Sequence, residues 1–172
     1  AWYNPGRGIC MRICWYMVNA IFFKSALVFP SQFKPFLLRQ FGAKIGVGVV
    51  IKPFVNIKYP WNLEIGPNSW IGEEVWIDSL AKVTIGKNVC ISQGAYLCTG
   101  NHDWGRADFD LRIAEIAISD GSWVGAKAIV MGGAVVSSHS IVTVGSVLSG
   151  TTTSYSIYSG NPAIKVKARY IE

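Results

Sequence analysis

The sequence predicts an all-β fold, a parallel β-helix of about five coils, on the basis of two observations. From residue 45 onward an aliphatic residue recurs at every sixth position within groups of three, and all fifteen such positions are Ile, Leu or Val. They are Ile45, Ile51, Ile57, Ile65, Ile71, Ile77, Ile85, Ile91, Leu97, Ile118, Val124, Val130, Val136, Val142 and Leu148. Extra residues occur only after the third position of a group. Together these features indicate three flat faces per coil, each with an aliphatic side chain pointing inward.

The insertions indicate that the chain leaves each coil at the same edge. Two extra residues follow Ile57, two follow Ile77 and fifteen follow Leu97. A face whose strands pair with the neighbouring coils cannot absorb extra residues, so the insertions leave from one corner of a three-sided prism. Glycine directly follows the aliphatic residue at five positions, where a tight corner favours a residue without a Cβ atom.

We expect three segments along the chain. Residues 1–44 form an N-terminal cap, residues 45–150 form the β-helix with a long loop at residues 98–117, and residues 151–172 form a C-terminal extension that folds back over the last coil. Within the cap, residues 9–41 combine bulky apolar side chains with basic ones and contain two prolines, which predicts one or two short amphipathic helices. A second interpretation is that this stretch binds at a membrane surface.

The composition fits one domain and argues against several classes of site. The 172 residues carry a formal net charge of +6, which suits a phosphorylated ligand or an anionic membrane surface as well as an ordinary basic protein. No run reaches the roughly 18 to 20 apolar residues of a transmembrane helix. Two histidines are too few for a zinc site with three imidazole ligands, and no basic patch with interleaved aromatic residues predicts nucleic-acid binding. The spacing of the four cysteines fits reduced thiols in the cytoplasm.

The loop at residues 98–117 is the best candidate for a functional site, because long ordered loops on a rigid scaffold commonly carry function. It contains His102, flanked by Asn101, Asp103 and Trp104. An imidazole titrates near neutral pH and can accept a proton from a hydroxyl group when another group holds its second nitrogen. A surface histidine without a chemical role and a nucleophilic Cys98 beside it are the alternatives that the loop alone leaves open.

Six segments carry a family resemblance. They are "LLRQFGAKIG", "YPWNLEIG", "WIGEEVWID", "VCISQGAYLCTGNHD", "DGSWVGAKAIV" and "GNPA", which occur in this order and cover much of the chain. In combination they resemble the hexapeptide-repeat acyltransferases of left-handed β-helix fold, and among these the colanic-acid-biosynthesis type of sugar acetyltransferase. The resemblance implies a left-handed β-helix and an acetyl-CoA-dependent O-acetyltransferase that uses no metal. It also implies a homotrimer with active sites in the clefts between adjacent prisms.

The resemblance further implies roles for individual residues. His102 matches the catalytic base, with Asn101 and Asp103 shaping its loop and either of them able to orient the imidazole. Asp78 and Trp104 would contact the acceptor. The acetyl-CoA site would consist of Trp123, Gly125, Ala126, Gly145, Ser146, Lys165, Lys167 and Arg169. Among these the backbone N–H of Ala126 would face the developing oxyanion, and the three basic residues would meet the cofactor phosphates.

The expected reaction is a direct attack of a sugar hydroxyl on acetyl-CoA in a ternary complex, because the loop offers a base but no convincing nucleophile. The acceptor would be a sugar or a lipid-linked glycan in exopolysaccharide or surface-glycan biosynthesis. One alternative is a β-helix that serves as a non-catalytic scaffold or binding module. Another is a cytoplasmic enzyme that lies at the inner face of the cytoplasmic membrane, with residues 9–41 as its anchor.

Overall fold

The computed structural model describes residues 3–171 of the chain. Helix α1 (Ile9–Val18) continues into a π-helical turn (Asn19–Phe23), and helix α2 (Phe33–Gln40) follows. The remaining chain consists of short strands joined by turns, with one 3₁₀ turn at Pro60–Asn62. The two helices agree with the amphipathic helices expected within residues 9–41.

The strands are β1 (Lys44–Ile45), β2 (Val50–Ile51), β3 (Asn56–Ile57), β4 (Leu63–Ile65), β5 (Trp70–Ile71), β6 (Trp76–Asp78), β7 (Val83–Ile85), β8 (Cys90–Ile91), β9 (Tyr96–Cys98), β10 (Gly100–His102), β11 (Leu111–Ile113), β12 (Ile116–Ile118), β13 (Trp123–Val124), β14 (Ile129–Met131), β15 (Val135–Val136), β16 (Ile141–Val142), β17 (Val147–Leu148), β18 (Ser156–Ser159) and β19 (Ile164–Ala168).

Three parallel sheets form the faces of a prism. Face A contains β1, β4, β7, β12 and β15, face B contains β2, β5, β8, β13, β16 and β18, and face C contains β3, β6, β9, β14 and β17. The chain passes through A, B and C in turn, so each coil has an A–B edge, a B–C edge and a C–A edge. These faces make five complete coils, and β18 with a bridge between Val135 and Thr151 begins a sixth. The predicted fold class is confirmed.

The interior of the prism is the predicted aliphatic ladder. Fourteen of the fifteen predicted positions are buried, and Ile45, on the first strand, is partly buried. Consecutive coils pair in exact vertical register, for example Ile65 on Ile85 and Ile71 on Ile91. Each inward side chain therefore packs on the same kind of side chain above and below, which buries a continuous apolar column.

The glycines at the edges are required by the stacking of the coils. A Cβ atom on Gly66 would lie 2.6 Å from the backbone carbon of Gly86, and one on Gly125 would lie 2.6 Å from the backbone nitrogen of Val144. Neither glycine has a positive φ. The expected corner glycines are present, and their physical reason is the close approach of the next coil.

The N-terminal cap closes the open end of the first coil. Trp15, Phe23 and Leu38 are buried against it, and Trp15 Nε1 donates a 2.9 Å hydrogen bond to the carbonyl of Ile57. The guanidinium of Arg39 donates to the carbonyls of Ile45 and Gly46. These contacts satisfy backbone groups that an uncovered sheet end would expose.

The C-terminal extension also folds back as expected. Strand β18 adds to face B in parallel with β16, and β19 then pairs antiparallel with β18. Within residues 3–171 no helix has both the length and the apolar character needed to cross a bilayer.

Candidate active site

The long insertion leaves the prism at the C–A edge and folds as a hairpin. Strands β10 and β11 pair antiparallel, with Gly100 opposite Ile113, Asn101 opposite Arg112 and His102 opposite Leu111. The chain then returns to face A at β12, which pairs with β7 of the coil below. The prism is thus continuous beneath the hairpin, and His102 is placed on its outward-projecting strand.

The imidazole of His102 is held by a backbone carbonyl. Its Nδ1 lies 2.6 Å from the carbonyl oxygen of Phe109, at the far end of the hairpin turn. A carbonyl oxygen only accepts hydrogen bonds, so Nδ1 carries the proton and the lone pair of the neutral imidazole lies on Nε2. Phe109 has a φ of +46°, in the left-handed region, so the backbone is strained where it aims this carbonyl.

The flanking side chains hold the hairpin instead of the imidazole. The Asn101 side-chain oxygen accepts a 2.8 Å hydrogen bond from the backbone N–H of His102. The Asp103 carboxylate accepts hydrogen bonds from Arg112 at 2.6 Å and from the N–H of Gly105 at 3.1 Å. Within residues 3–171 neither side chain makes a hydrogen bond to the imidazole, which is held by the Phe109 carbonyl. The supporting roles predicted for Asn101 and Asp103 in catalysis stay predictions.

A cavity of about 520 Å³ opens beside His102 at the C–A edge. Trp104, Arg112 and Met131 are among the side chains that line it, and Trp104 is 85% exposed. The Nε2 atom of His102 makes no hydrogen bond within the described residues. The cavity therefore offers an uncommitted proton acceptor next to an exposed aromatic ring and a guanidinium.

Asp78 lies one coil below this cavity and outside its lining. It pairs in register with Cys98, and a Cβ atom on Gly100 would lie 3.4 Å from its carboxylate. The side chain is buried, and burial raises the pKa of Asp78, against the opposing effects of Lys58 and of a hydrogen bond with Tyr96. The structure thus places Asp78 at the same edge as His102, under the base of the hairpin, and its contact with an acceptor stays a prediction.

A second cavity, of about 320 Å³, lies at the B–C edge and contains three of the predicted acetyl-CoA residues, Trp123, Gly125 and Ala126. The Trp123 indole is 45% exposed, and its Nε1 donates a 2.8 Å hydrogen bond to the hydroxyl of Ser92. The Ala126 N–H donates no hydrogen bond within residues 3–171, although its carbonyl accepts one from Gly145. The Ala126 N–H is therefore free to donate to an anionic oxygen of a ligand. The fixed Trp123 indole beside it offers a flat surface for a flexible chain of the same ligand.

The two other predicted residues at this edge have different environments. Gly145 is exposed, has a φ of +66° and adjoins Ala126 through its N–H. Ser146 is buried, and its hydroxyl lies 2.9 Å from the Thr143 hydroxyl and accepts from the N–H of Gly160. This hydroxyl joins the corner to the C-terminal extension, and a contact of Ser146 with the cofactor stays a prediction.

The three residues that were predicted to contact the cofactor phosphates lie in two different places. Lys165 and Lys167 are exposed on β19, at the end of face B, where Lys167 pairs with Ile157. Arg169 donates to the carbonyls of Gly121 and His139 at 2.9 and 3.0 Å, which lie at the A–B edge. Arg169 therefore fixes the C-terminal extension to the prism, away from the B–C edge that holds Ala126, and its predicted cofactor contact is not supported.

No group of three His, Cys, Asp or Glu side chains within residues 3–171 could hold a metal ion. His139 stacks on Tyr155 with ring centroids 4.7 Å apart, and its Nδ1 lies 2.7 Å from the Ser138 hydroxyl. This second histidine is a half-buried residue that packs at the A–B edge.

The base and the acetyl-CoA candidates lie at different edges of one chain. The cavity beside His102 is at the C–A edge, the groove beside Ala126 is at the B–C edge, and they share no lining residue. Face C separates them. One prism alone does not bring the proton acceptor next to the free N–H of Ala126.

Sequence reasoning missed the two contacts that fix the hairpin, the Phe109 carbonyl and the Arg112 guanidinium. A backbone carbonyl leaves no signature in residue identity. The opposite charges of Asp103 and Arg112, on either side of a polar turn, were a usable signal for a two-stranded hairpin.

Comparison with known proteins agrees with the architecture. The chain is 35% identical over 167 residues to WcaF of Escherichia coli K12, named as a colanic acid biosynthesis acetyltransferase, and the match covers 97% of this chain and 91% of WcaF. The hexapeptide-repeat acetyltransferase VCA0836 of Vibrio cholerae, solved with acetyl coenzyme A, superposes with a TM-score of 0.84 at 19% identity, over 94% of this chain and 88% of that one.

A maltose O-acetyltransferase of Clostridium difficile 630 superposes with a TM-score of 0.81 at 20% identity, over 95% of this chain and 88% of that one. These structural similarities concern the fold, because the identities are low. No protein-family model matches the chain.

Proposed function

The chain belongs to the hexapeptide-repeat acetyltransferase family that includes WcaF, and from this premise we propose that it transfers an acetyl group from acetyl-CoA to a sugar hydroxyl. The observation that supports this most directly is the imidazole of His102, held at Nδ1 by the Phe109 carbonyl with Nε2 uncommitted in a cavity. Such an imidazole has the geometry of a general base.

The proposed reaction is a single displacement. Nε2 of His102 takes the proton of the sugar hydroxyl as its oxygen attacks the thioester carbonyl, and the carbon–sulfur bond breaks as the acetyl–oxygen bond forms. The Ala126 N–H donates to the oxyanion that develops on the carbonyl oxygen. The imidazolium then returns the proton to the leaving thiolate, so that no covalent enzyme intermediate is needed.

The proposed active form is a homotrimer. His102 and Ala126 belong to different edges of the same prism, and a complete site needs both. When prisms associate side by side around a threefold axis, a C–A edge of one subunit can face a B–C edge of the next. The hairpin that leaves at the C–A edge, and so carries His102 away from its own prism, supports this proposal.

The proposed acceptor is a sugar of an exopolysaccharide or surface glycan, made in the cytoplasm. WcaF is named for colanic acid biosynthesis, and the Clostridium difficile neighbour is a maltose O-acetyltransferase. Trp104 is an exposed ring at the mouth of the cavity and is suited to stack on a sugar. Acetyl-CoA is the proposed donor, because the Vibrio cholerae neighbour was solved with it.

Thiol release from acetyl-CoA tests the proposal with a panel of free, nucleotide-linked and lipid-linked saccharides. We expect acceptor-dependent release and a higher melting temperature in the presence of CoA. His102→Ala should lower kcat by about 10²- to 10⁴-fold while keeping the stabilisation by CoA. If CoA does not stabilise the protein and no acceptor gives thiol release, the chain is a β-helix scaffold. Activity of His102→Ala within a few-fold of the parent would exclude His102 as the base.

A specific observation also favours contact with a membrane surface. On the cap, Met17, Leu27 and Val28 are 51%, 55% and 84% exposed. Deleting residues 9–41 would uncover the core, because Trp15, Phe23 and Leu38 belong to it. The test is therefore the triple variant Met17→Gln/Leu27→Gln/Val28→Gln, which should lose co-sedimentation with anionic vesicles and keep its melting temperature. Equal sedimentation of parent and variant would exclude this surface.

A further inference from the structure

A third cavity lies between the N-terminal cap and the lower part of face C. It has a volume of about 440 Å³ and is open to solvent between helix α1 and the first two coils. Three cationic side chains, Arg12, Lys24 and Lys58, contribute to its lining. Tyr59 and Trp76 form part of the wall that belongs to the prism. We call it the cap groove.

The cations of the cap groove make no direct contact with an anionic group. Arg12 Nε is buried and makes no hydrogen bond, and the side chains of Lys24 and Lys58 make neither a hydrogen bond nor an ion pair within residues 3–171. The charge of Lys58 acts to lower the pKa of Asp78, without forming an ion pair with it. A buried guanidinium nitrogen without an acceptor is costly, so this arrangement indicates an anion that is bound there in function.

Other basic residues of the same region are used structurally. Lys34 is buried and donates to the carbonyl of Lys52, Arg39 donates to two carbonyls of the first coil, and Lys44 pairs with Glu64. The first 63 residues contain eight Lys and Arg residues and no Asp or Glu. The end of the prism that holds the cap groove is therefore strongly positive, which attracts anions.

The rim of the cap groove is apolar. Ile9, Ile13 and Tyr16 line it and are 60%, 56% and 68% exposed. Exposed apolar side chains of this size beside unpartnered cations match a ligand that has both an anionic head and a hydrocarbon chain. A free phosphate or a nucleotide would leave the apolar rim in water.

We propose that the cap groove binds a phosphate or diphosphate group that is attached to an apolar chain. The Arg12 guanidinium presents donors in a fork that matches two phosphate oxygens, and Lys24 and Lys58 add charge from the other sides. The hydrocarbon chain lies along Ile9, Ile13 and Tyr16.

The cap groove is on the same side of the prism as the proposed base. Lys58 directly follows the face C strand of the first coil, and Cys98 ends that of the third, just before the hairpin of His102. Two coil steps at the interstrand spacing separate them by roughly 10 Å. If the proposed acetyl transfer holds, a saccharide joined to the bound phosphate would extend from the cap groove toward His102, which makes the acceptor lipid-linked.

Farnesyl diphosphate, used below its micelle concentration, is a suitable probe because it carries both parts of the proposed ligand. Binding is measured by isothermal titration calorimetry with saturating CoA present, so that the B–C groove is not free for diphosphate. Inorganic diphosphate carries only the anionic part of this probe and farnesol only the apolar part, so the two compounds are the matched controls. We expect farnesyl diphosphate to bind at least about tenfold more tightly than either. Equal affinity for inorganic diphosphate would overturn the apolar half of the proposal, and equal affinity for farnesol would overturn the anionic half.

Substitutions locate the site. Arg12→Gln and Lys58→Gln should each weaken farnesyl diphosphate binding by about tenfold or more, with unchanged melting temperatures. Lys87→Gln removes an exposed lysine on another edge, which pairs with Asp120, and should leave the affinity unchanged. Equal losses in all three variants, or none in Arg12→Gln, would overturn the assignment to the cap groove. The readout is binding, so an inactive but binding protein would contradict only the proposed acetyl transfer.

Discussion

The carbonyl oxygen of Phe109 lies 2.6 Å from Nδ1 of His102, a residue seven positions earlier in the chain, across the turn that links β10 and β11. The bond fixes both the plane of the imidazole and the position of its proton. Because the acceptor is a backbone atom, the geometry depends on the conformation of the turn and not on the Phe109 side chain, which is 60% exposed.

The first prediction concerns the positive φ of Phe109. Phe109→Val introduces a β-branched residue where φ is +46°, a conformation that such residues rarely adopt. We expect the turn to rearrange and kcat to fall by about tenfold or more, with an unchanged KM for acetyl-CoA. Phe109→Gly, which accepts this φ without strain, should stay within a few-fold of the parent. Steady-state kinetics of the two variants check this, and parental activity in Phe109→Val would show that the carbonyl does not position the ring.

The second prediction concerns the ion pair between Asp103 and Arg112, which joins the two strands of the hairpin at 2.6 Å. An exposed pair of this kind adds little to stability, about 0.2–1 kcal/mol, so Arg112→Gln should hardly change the melting temperature. Its kcat should nevertheless fall by about tenfold, because the strand that carries His102 loses its tether.

Arg106→Gln is the matched control for this pair. Arg106 binds Asp108 in the same loop but joins no residue of β10 to β11. The double variant Asp103→Asn/Arg112→Gln should lose no more kcat than Arg112→Gln alone, because both substitutions remove one interaction. Additive losses would mean that Arg112 acts on the acceptor directly, from its place in the cavity lining.

The fold could be predicted in detail because every inward-facing position of the repeat is occupied by an aliphatic residue, which is visible in the sequence. Ile65, Ile85 and Ile118 each begin a group of three six-residue repeats in the sequence, and they are direct neighbours on face A. The departure point of the hairpin followed from the same count. The strands inside the insertion could not be predicted, because "GNH" and "LRI" have no periodic apolar pattern and pair through the turn that links them.

Less of the candidate site could be predicted from the sequence. His102, Trp123 and Ala126 each line a cavity, and the roles that the resemblance implies for them stay predictions. The hydrogen bonds of Arg169 could not be predicted, because its partners are carbonyls 48 and 30 positions earlier in the chain, reached only after β19 docks. Contacts that depend on such docking, or on a backbone acceptor, leave no local pattern to read.

The third prediction tests the stacking of the coils. In Gly66→Ala the new Cβ would lie 2.6 Å from the backbone of Gly86 and 2.7 Å from that of Lys87, and neither can move without breaking the register. We expect a loss of about 1–3 kcal/mol in the free energy of unfolding. Gly150→Ala is the control, since nothing lies within 4 Å of its Cβ position, and it should melt like the parent. Equal stability of both variants in chemical denaturation would mean that the coils can separate at this edge.

The fourth prediction concerns Asp78, whose pKa is raised in the folded state mainly by burial. A carboxyl group with a raised folded pKa binds its proton more tightly when folded, so stability falls as pH rises from its ordinary pKa through its folded pKa. At pH values above the folded pKa, the free energy of unfolding is reduced by the full cost of burying the charged carboxylate. Asp78→Asn removes this charge at similar size, and we therefore expect a higher melting temperature than the parent at pH 7 and no difference at pH 3.

The control for Asp78 is Glu73→Gln, which removes an exposed carboxylate from the same coil as Asp78, one coil below the hairpin. Its melting temperature should match the parent at both pH values. If Asp78 contacts the acceptor, Asp78→Asn should also raise the acceptor KM while leaving the KM for acetyl-CoA unchanged, so that a gain in stability accompanies a loss of function. If Asp78→Asn is less stable than the parent at pH 7, the prediction is wrong. That result would mean that the hydrogen bond from Tyr96 to the charged Asp78 carboxylate stabilises the fold by more than burial of the charge costs.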